Sequence, residues 1–232
     1  YILVMCGRRT LIKSKRDIIS ELTIDKWEFK DYKPSYNISP GQDSPILVSL
    51  KNSKIVKRMN WGLIPSWSKD KSRSGYIINA RYETIYDKPL YKNLIKTNRC
   101  IIISDGYYEW VKQQNNKIPY YIYLPNNSLL PLAGLWSLWK QNNKYKYTYT
   151  IITKIASNQI NHIHDRMPVI MKKDSINDWL DNKEMIKPVD IDKRELKYVP
   201  VASYVNSTKN DSIKCITELK RAKTLSLFKN NF

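Results

Sequence analysis

The sequence predicts one α+β domain in which a mainly antiparallel β-sheet forms an open barrel-like core with short flanking helices. Apolar, β-prone arms recur in pairs around short polar turns, whereas helical periodicity is confined to short stretches. The 232 residues contain no repeat, low-complexity linker or proline-rich hinge. We therefore expect one domain over residues 6–215, an extension over residues 1–5 that is absent or removed in the working protein, and a basic C-terminal tail over residues 216–232.

Short helices are predicted at two places. Ser14 is the expected N-cap of a helix in SKRDIISEL, whose apolar residues fall on one side. The stretch DSINDWL predicts a second helix, with Asp174 or Ser175 as its cap. We expect the first of these helices to pack on a sheet, because Ile18, Ile19 and Leu22 lie on one side of it.

Strands are predicted mostly as hairpins. PILVSL and KIVKRMNWGLI flank the turn residues KNS, and RCIIIS is a compact apolar run. Two further segments place a Q-N-N-K polar cluster between β-prone arms: EWVKQQNNKIPYYIYL and LWSLWKQNNKYKYTYTIIT. Strand therefore outweighs helix in the expected fold.

The charge of the chain predicts a polyanionic partner. Forty Lys and Arg against twenty-one Asp and Glu give a formal net charge of +19. Such an excess repels itself in a compact fold and is most simply tolerated when nucleic acid neutralises part of it. The alternative is a lysine-rich solvated surface that reflects a general compositional bias, since Ile, Lys, Asn and Tyr are all abundant.

Cysteine use predicts a reducing, cytoplasmic setting. Cys6, Cys100 and Cys215 lie too far apart for a C-x-x-C pair, and their odd number argues against a disulfide framework. With only two His, a structural zinc site is disfavoured, and we expect no metal and no cofactor.

YILVM lacks the basic start of a signal peptide, and no apolar run approaches the roughly 18 residues of a membrane helix. We expect a monomer with no membrane association, located at the nucleoid or replication fork if the host is bacterial.

The cysteine after Met5 has a particular chemical possibility. If translation starts at Met5 and this residue is removed, Cys6 carries a free α-amine and a thiol on adjacent carbons. Their reference pKa values lie near ~7.7–8.0 and ~8.5, so both are partly deprotonated around neutrality. The amine can form an imine with an aldehyde, and the thiol can then close a five-membered thiazolidine. The alternative is a small buried residue near a chain terminus.

Several separate motifs resemble the SOS response-associated peptidase (SRAP) family of abasic-site processing proteins. The match runs from Cys6 to about Asp211, in the order of the family's motifs, and these motifs are MCGR, YNISPGQ, WGLIPSW, NARYET, RCIIISDGYYEW and IHDRMPVI. The resemblance implies a covalent sensor of abasic sites in single-stranded DNA. Its N-terminal cysteine forms a thiazolidine with the aldehyde of the ring-opened deoxyribose.

The resemblance implies four catalytic residues. Cys6 matches the nucleophile, and Asn79 matches the asparagine that positions its amine, a task that suits a neutral amide. Glu109 matches the catalytic carboxylate, and burial among the neighbouring aromatic residues would raise its pKa into a useful range. His164 matches the histidine that assists opening of the sugar ring. The alternatives are a turn-forming asparagine and an exposed glutamate at a strand end.

The resemblance also implies a DNA-binding set. Arg8 and Arg81 match phosphate contacts, and Pro40 and Trp67 match positions that pack against bases flanking the lesion. Thr153 lies where the family has a small hydroxyl residue near the reactive site. For Trp67 the alternative is packing in the core.

Two residues of the histidine segment have less defined expectations. Arg166 is expected to brace the segment through a partner that the sequence does not reveal, and His162 is expected on the surface of the preceding turn without a matching role.

Rival functions remain open from sequence alone. A cysteine peptidase acting on proteins would use the thiolate of Cys6, whereas a non-catalytic binder of single strands would need only charge and aromatic residues. Within the family resemblance, a slow strand-cleaving lyase activity, reversal of the crosslink and self-removal of the residue before Cys6 are further expectations.

Overall fold

The computed structural model describes residues 6–68, 77–113, 116–181 and 196–219. The expected extension at residues 1–5 and most of the expected basic tail, from residue 220, lie outside the described residues. The strands are β1 (Arg9–Leu11), β2 (Lys26–Trp27), β3 (Ser35–Ile38), β4 (Asp43–Leu50), β5 (Ser53–Trp61), β6 (Asn79–Arg81), β7 (Arg99–Ile102), β8 (Gly106–Gln113), β9 (Asn116–Tyr123), β10 (Leu132–Gln141), β11 (Lys144–Ile155), β12 (Arg166–Pro168) and β13 (Lys197–Pro200). The α-helices are α1 (Lys15–Leu22), α2 (Pro89–Lys92), α3 (Leu94–Thr97) and α4 (Ile176–Leu180), and four short 3-10 helices cover Tyr82–Thr84, Lys173–Ser175, Ser203–Asn206 and Ile213–Cys215.

Two sheets build a single, mostly β domain. One sheet has the strand order β13-β9-β8-β1-β3, and the other has the order β12-β11-β10-β7-β4-β5-β2 with β6 added beside β11. In the second sheet β11 also pairs in parallel with β5, through Thr148 opposite Asn60 and Tyr149 opposite Trp61. This pairing closes β11, β10, β7, β4 and β5 into a ring, so the predicted α+β barrel-like architecture is confirmed.

The predicted hairpins form where their turn chemistry indicated. Asn142 and Asn143, between β10 and β11, both have positive φ, at 46° and 60°. Lys51 and Asn52, between β4 and β5, also have positive φ, at 51° and 62°. Positive φ at both central residues is the conformation of two-residue turns that match the right-handed twist of the strands. The arms of EWVKQQNNKIPYYIYL pair as β8 and β9, with Gln113 opposite Asn116.

The helices are short, and they cover the barrel. Helix α1 begins after Ser14, whose side chain accepts a hydrogen bond from the backbone N–H of Asp17, and it buries Ile18 and Leu22. Helix α4 begins at Ile176 after a 3-10 turn, and Ser175 precedes it without a side-chain capping bond. None of the helices in the described part of the chain is long and apolar enough to cross a membrane.

Candidate active site

Strand β8 carries the predicted catalytic carboxylate on its inner face. Side chains alternate along a strand, so Glu109 shares a face with Tyr107, while Tyr108 and Trp110 point to the opposite face. Tyr107 lies in the main core and Tyr108 in a separate smaller cluster. Of the aromatic neighbours expected to desolvate Glu109, Tyr107 is therefore the one on its side of the sheet.

Cys6 lies directly against Glu109. The backbone nitrogen of Cys6 donates a hydrogen bond of 2.7 Å to Oε1 of Glu109, across 103 positions of sequence. Both residues are only 2% exposed. Cys6 has a φ of 46°, a left-handed conformation that a residue with a side chain seldom adopts. The fold thus brings two members of the predicted catalytic set, 103 positions apart in sequence, into a buried contact.

The environment shifts the pKa of both groups upward. Burial raises the pKa of the Cys6 thiol well above its ordinary value, and the charge of Glu109 and a hydrogen bond with it act in the same direction, while Arg166 opposes them. Burial also raises the pKa of the Glu109 carboxyl, against the opposing effects of His164 and of the hydrogen bonds from Cys6. A carboxylate with a raised pKa is a stronger base than an exposed one, and this suits proton transfer near neutral pH.

Strands β6, β11 and β12 of the barrel sheet lie side by side and carry Asn79, Arg81 and Thr153 of the predicted set. Strand β6 pairs in parallel with β11, with Asn79 opposite Ile151 and Arg81 opposite Thr153. Strand β12 pairs with the other edge of β11, with Pro168 opposite Thr153. Two strands that are 85 or more positions apart in sequence thus flank β11. Asn79 is partly buried at the start of β6.

His164 lies in the turn that joins β11 and β12, and its side chain is 16% exposed. Its Nδ1 accepts a hydrogen bond of 3.1 Å from the backbone N–H of Arg166, which suits the neutral ring protonated on Nε2. Oδ1 of Asp165 lies 2.7 Å from the same nitrogen, so a charged ring can donate there instead. The ring therefore has a partner in either charge state, as an acid–base group requires.

Arg166 has the bracing role expected of it, and its partner is Glu83. Nη1 and Nη2 of Arg166 donate to the two carboxylate oxygens of Glu83, each at 2.9 Å. Nη2 also donates to the backbone oxygen of Thr153 at 2.8 Å and to its hydroxyl at 3.3 Å. Burial opposes ionisation of Glu83, but the hydrogen bonds and charge of Arg166 keep the pKa of that carboxyl below its ordinary value. The completely buried Thr153 thus holds Arg166 in place.

The two arginines predicted to contact phosphate differ in their surroundings. Arg8 Nη1 donates to Oδ1 of Asn37 at 2.8 Å and to the backbone oxygen of Val205 at 2.7 Å, and Nη2 donates to the backbone oxygen of Asn206 at 3.1 Å. Arg8 therefore ties the segment after Cys6 to the 3-10 helix Ser203–Asn206. Arg81 is exposed at the end of β6.

The two residues predicted to contact bases lie in turns. Pro40 precedes Gly41 in a four-residue turn, closed by a hydrogen bond of 3.2 Å from the N–H of Gln42 to the oxygen of Ser39. Gly41 has a φ of 87°, the conformation that a type II turn requires after proline. Trp67 follows β5 in a turn and is 75% exposed, so it does not pack in the core.

No group of three or more His, Cys, Asp and Glu residues with the arrangement of a metal site occurs within the described ranges. The three cysteines are present as free thiols, and each is buried.

Comparison with known proteins decides the family. The model of the SOS response associated peptidase (SRAP) family matches residues 5–208. The chain belongs to the SRAP family. A Bacillus subtilis (strain 168) relative named abasic site processing protein YoaM is 38% identical over 219 residues, which cover 90% of this chain and 96% of the relative. Abasic site processing protein HMCES of Xenopus tropicalis is 35% identical, over 93% of this chain and 78% of that protein.

A solved structure agrees on the fold of the SRAP domain. The crystal structure of a Bacteroides thetaiotaomicron protein superposes with a TM-score of 0.81, over 93% of this chain and 100% of the other, at 23% sequence identity. At that level of identity the likeness concerns the fold alone.

One residue that contacts the histidine segment was not predicted from the sequence. Glu83 lies within the NARYET motif, but no role was predicted for it. Its signal was present, because an acidic residue in one motif and the unpartnered Arg166 in another are complementary charges. Their pairing becomes evident only once β6 and β12 are known to flank the same strand.

Proposed function

We propose that this SRAP protein processes abasic sites in single-stranded DNA by forming a covalent thiazolidine crosslink through Cys6. The observation that carries the proposal is the buried hydrogen bond of 2.7 Å between the nitrogen of Cys6 and Oε1 of Glu109. It sets the atom that would attack an aldehyde beside a carboxylate suited to receive its proton. The relatives named abasic site processing proteins support the same substrate.

The chemistry requires a free α-amine, so the residues before Cys6 must be absent from the active form. The ring-opened deoxyribose presents an aldehyde at C1′, and His164 assists that opening by moving the proton between the ring oxygen and the hydroxyl at C1′. The amine nitrogen then adds to C1′, and loss of one water gives an imine. Glu109 takes the proton released by nitrogen and returns it to the departing hydroxyl.

Ring closure uses the second nucleophile of Cys6. The sulfur adds to C1′ of the imine, the C=N π electrons move to nitrogen, and the thiol proton reaches that nitrogen through Glu109. The net change is one aldehyde and one aminothiol giving one thiazolidine and one water. The same carboxyl can return a proton to sulfur and reverse the last step, and elimination from the imine would account for a slow lyase activity.

The state of the thiol favours this chemistry over a peptidase. Peptidase cysteines attack as thiolates, and their surroundings lower the pKa. Here burial and the neighbouring carboxylate raise the pKa of the Cys6 thiol. A neutral thiol can still add to an imine when a base such as Glu109 accepts its proton at the same time.

Binding of a single strand is supported by charge and by exposed aromatic surface. The formal net charge of +19 favours association with phosphates. Exposed Trp67 offers a face on which a base can stack, and Arg81 at the end of β6 supplies positive charge close to the strands that carry the candidate site.

The decisive experiment is denaturing gel electrophoresis of protein that begins at Cys6, incubated with a labelled single strand that holds one abasic site. A shifted band that survives heating is expected with this protein but not with protein that retains residues 1–5. An intact strand of the same sequence is the substrate control. No shifted band from folded protein beginning at Cys6 would refute the proposal.

One variant and one chemical modification separate formation of the imine from closure of the thiazolidine. Cys6→Ser keeps the amine but removes the thiol, so borohydride should trap its imine, while no crosslink should survive without reduction. Acetylation of the α-amine should abolish crosslinking completely, whereas a peptidase dependent only on the thiol would retain its activity.

A further inference from the structure

An aromatic row extends from the candidate site to the edge of the five-stranded sheet. It consists of Tyr120 on β9, Tyr198 on β13 and His162 in the turn between β11 and β12. The rings of Tyr120 and Tyr198 lie 6.3 Å apart between centroids, and those of Tyr198 and His162 lie 4.9 Å apart. These three residues have no role in the family motifs or in the proposed chemistry.

Strand register places this aromatic row on the same face as the catalytic carboxylate. Tyr120 lies directly opposite Glu109 in the β8–β9 pair. Tyr198 lies opposite Ile122, and Ile122 lies opposite Tyr107, which shares the face of Glu109. Residues opposite one another in an antiparallel pair point to the same side of the sheet. Two strand spacings, or about 10 Å, separate the strand of Glu109 from the strand of Tyr198.

Exposure increases along the row toward the edge. Tyr120 is half-buried and packs on the main core, whereas Tyr198 is 40% exposed and His162 is exposed. The inner member thus anchors the row, and the outer members present ring surface to solvent. His162 is only two residues from His164, so the row adjoins the candidate site through the turn as well as through the sheet.

We propose that the aromatic row is a stacking surface for the nucleobases next to the lesion on one side of the abasic site. This inference rests on the proposed function and adds a binding subsite to it. An abasic site has no base to hold, so a protein that grips it must draw affinity from the neighbouring nucleotides. Aromatic side chains beside a positively charged path are the means by which proteins bind single strands without reading their sequence.

Two features indicate that single-stranded DNA is the molecule that binds the aromatic row: the row is continuous with the candidate site, and the chain carries a positive net charge. A strand whose abasic C1′ lies at Cys6 must leave the site in two directions, and the row begins at the residue opposite Glu109. The net charge of +19 for the whole chain favours a polyanion over an apolar peptide as its partner. Trp67 follows β5, in the other sheet, so the row would contact different nucleotides from those predicted for Trp67.

The test is a double-mutant cycle between protein and DNA. One arm is Tyr198→Ala, and the other is a set of strands in which one nucleotide at a time, on either side of the lesion, is replaced by a baseless spacer. A non-reactive tetrahydrofuran analogue at the lesion and Cys6→Ser protein keep the measurement to binding alone. Anisotropy of a labelled strand gives the affinity.

Tyr198→Ala should weaken binding about 5- to 100-fold, the range expected for loss of one stacked base. Removing the base that stacks there should cause a similar loss in the parent protein and little further loss in Tyr198→Ala. Tyr198→Phe should bind like the parent, because it retains the ring. The slope of affinity against salt should be unchanged in both variants, since no phosphate contact is removed.

Tyr145→Ala is the matched control, because Tyr145 is a 60% exposed tyrosine beside the turn of the β10–β11 hairpin, in the other sheet. Equal affinities of Tyr198→Ala and Tyr145→Ala, or losses that simply add at every spacer position, would overturn the inference. Absence of crosslinking in the parent protein would instead count against the proposed function and leave the binding cycle to decide the subsite.

Discussion

Glu83 and Arg166 form a two-point ion pair that joins the segments on either side of β11. The pair has two hydrogen bonds of 2.9 Å, and the side chains of Arg166 and Glu83 are 10% and 37% exposed. Arg166 begins β12 opposite Ile155, and Glu83 lies in the 3-10 helix that follows β6. Since His164 lies two residues before Arg166, the ion pair also fixes where the histidine turn ends.

Glu83→Gln should therefore destabilise the protein. It leaves the largely buried guanidinium of Arg166 without its counter-charge, and we expect a loss of about 1–2 kcal/mol, below the range for fully buried pairs because solvent screens Glu83. Arg166→Lys should also destabilise, because an ammonium cannot form the two-point contact. Urea unfolding measures both effects. Asp31→Asn, which breaks an exposed pair with Arg58, is the control and should leave the unfolding midpoint unchanged. An equally stable Glu83→Gln variant would contradict this account.

The crosslinking rate should depend on the ionisation of Glu109. Burial raises the pKa of this carboxyl. The basic form is lost as pH falls through that raised pKa, so the rate should decline on the acid side. Glu109→Gln should slow the reaction by roughly 10²- to 10⁴-fold, the usual contribution of a positioned acid–base group, and should leave only the acid limb of the α-amine of Cys6, which must also be deprotonated to attack. Single-turnover rates on a fixed abasic strand, measured across pH, provide the test. An acid limb with the same midpoint in Glu109→Gln and in the parent would assign that limb to another group.

The same carboxyl should reduce the stability of the fold at neutral pH. The folded-state pKa of Glu109 is raised, so the folded protein binds this proton more tightly than the unfolded chain. Its contribution to stability is greatest below the unfolded pKa and is lost as pH rises through the folded pKa. In protein that retains the residues before Cys6, where the nitrogen of Cys6 is an amide, Glu109→Gln stays neutral and can still accept from that nitrogen, so it should be more stable than the parent at neutral pH. Thermal melting should show this difference shrinking toward acid pH, and a less stable Gln variant at neutral pH would be the opposite result.

Local sequence signals were sufficient for the hairpins and for α1. The paired Asn residues at 142 and 143, for example, set a turn that few other residues adopt, and Ser14 caps a helix with one apolar face. These features depend on neighbours in sequence. The number and order of strands in the two sheets depend on pairings between distant segments, and the turn residues contain no information about them.

The closure of the barrel shows this limit. Thr148 and Tyr149 pair in parallel with Asn60 and Trp61, 88 positions away. The local sequence of neither strand indicates that the other is its partner. The candidate site was predicted through resemblance, which supplied Cys6 and Glu109 as a pair. The Glu83–Arg166 contact was not predicted, because ion pairing between motifs requires the strand order. His162 and Tyr198 were likewise brought together only by the fold.

Trp67→Ala should separate binding from folding. Its side chain is 75% exposed, so the free energy of unfolding should change by no more than about 0.5 kcal/mol. If Trp67 stacks on a base beside the lesion, affinity for a single strand should fall by about 1–3 kcal/mol. Trp61→Ala is the contrasting variant. Trp61 is completely buried, so its replacement by Ala should lower the free energy of unfolding by about 3–5 kcal/mol. Anisotropy and urea unfolding on the same preparations make the comparison, and unchanged affinity of Trp67→Ala would remove it from the DNA interface.

Arg8 and Arg81 should differ in a measurable way, although both are predicted to contact phosphate. Arg8 makes three hydrogen bonds to Asn37, Val205 and Asn206, so Arg8→Gln should lose about 1–3 kcal/mol of stability. Arg81 is exposed, so Arg81→Gln should leave the unfolding midpoint unchanged. Each variant should lower the slope of log affinity against log salt by about 1, the value for one lost phosphate contact. A slope that changes in Arg81→Gln but not in Arg8→Gln would leave Arg8 as an internal brace, because its hydrogen bonds to Val205 and Asn206 would then account for its whole effect.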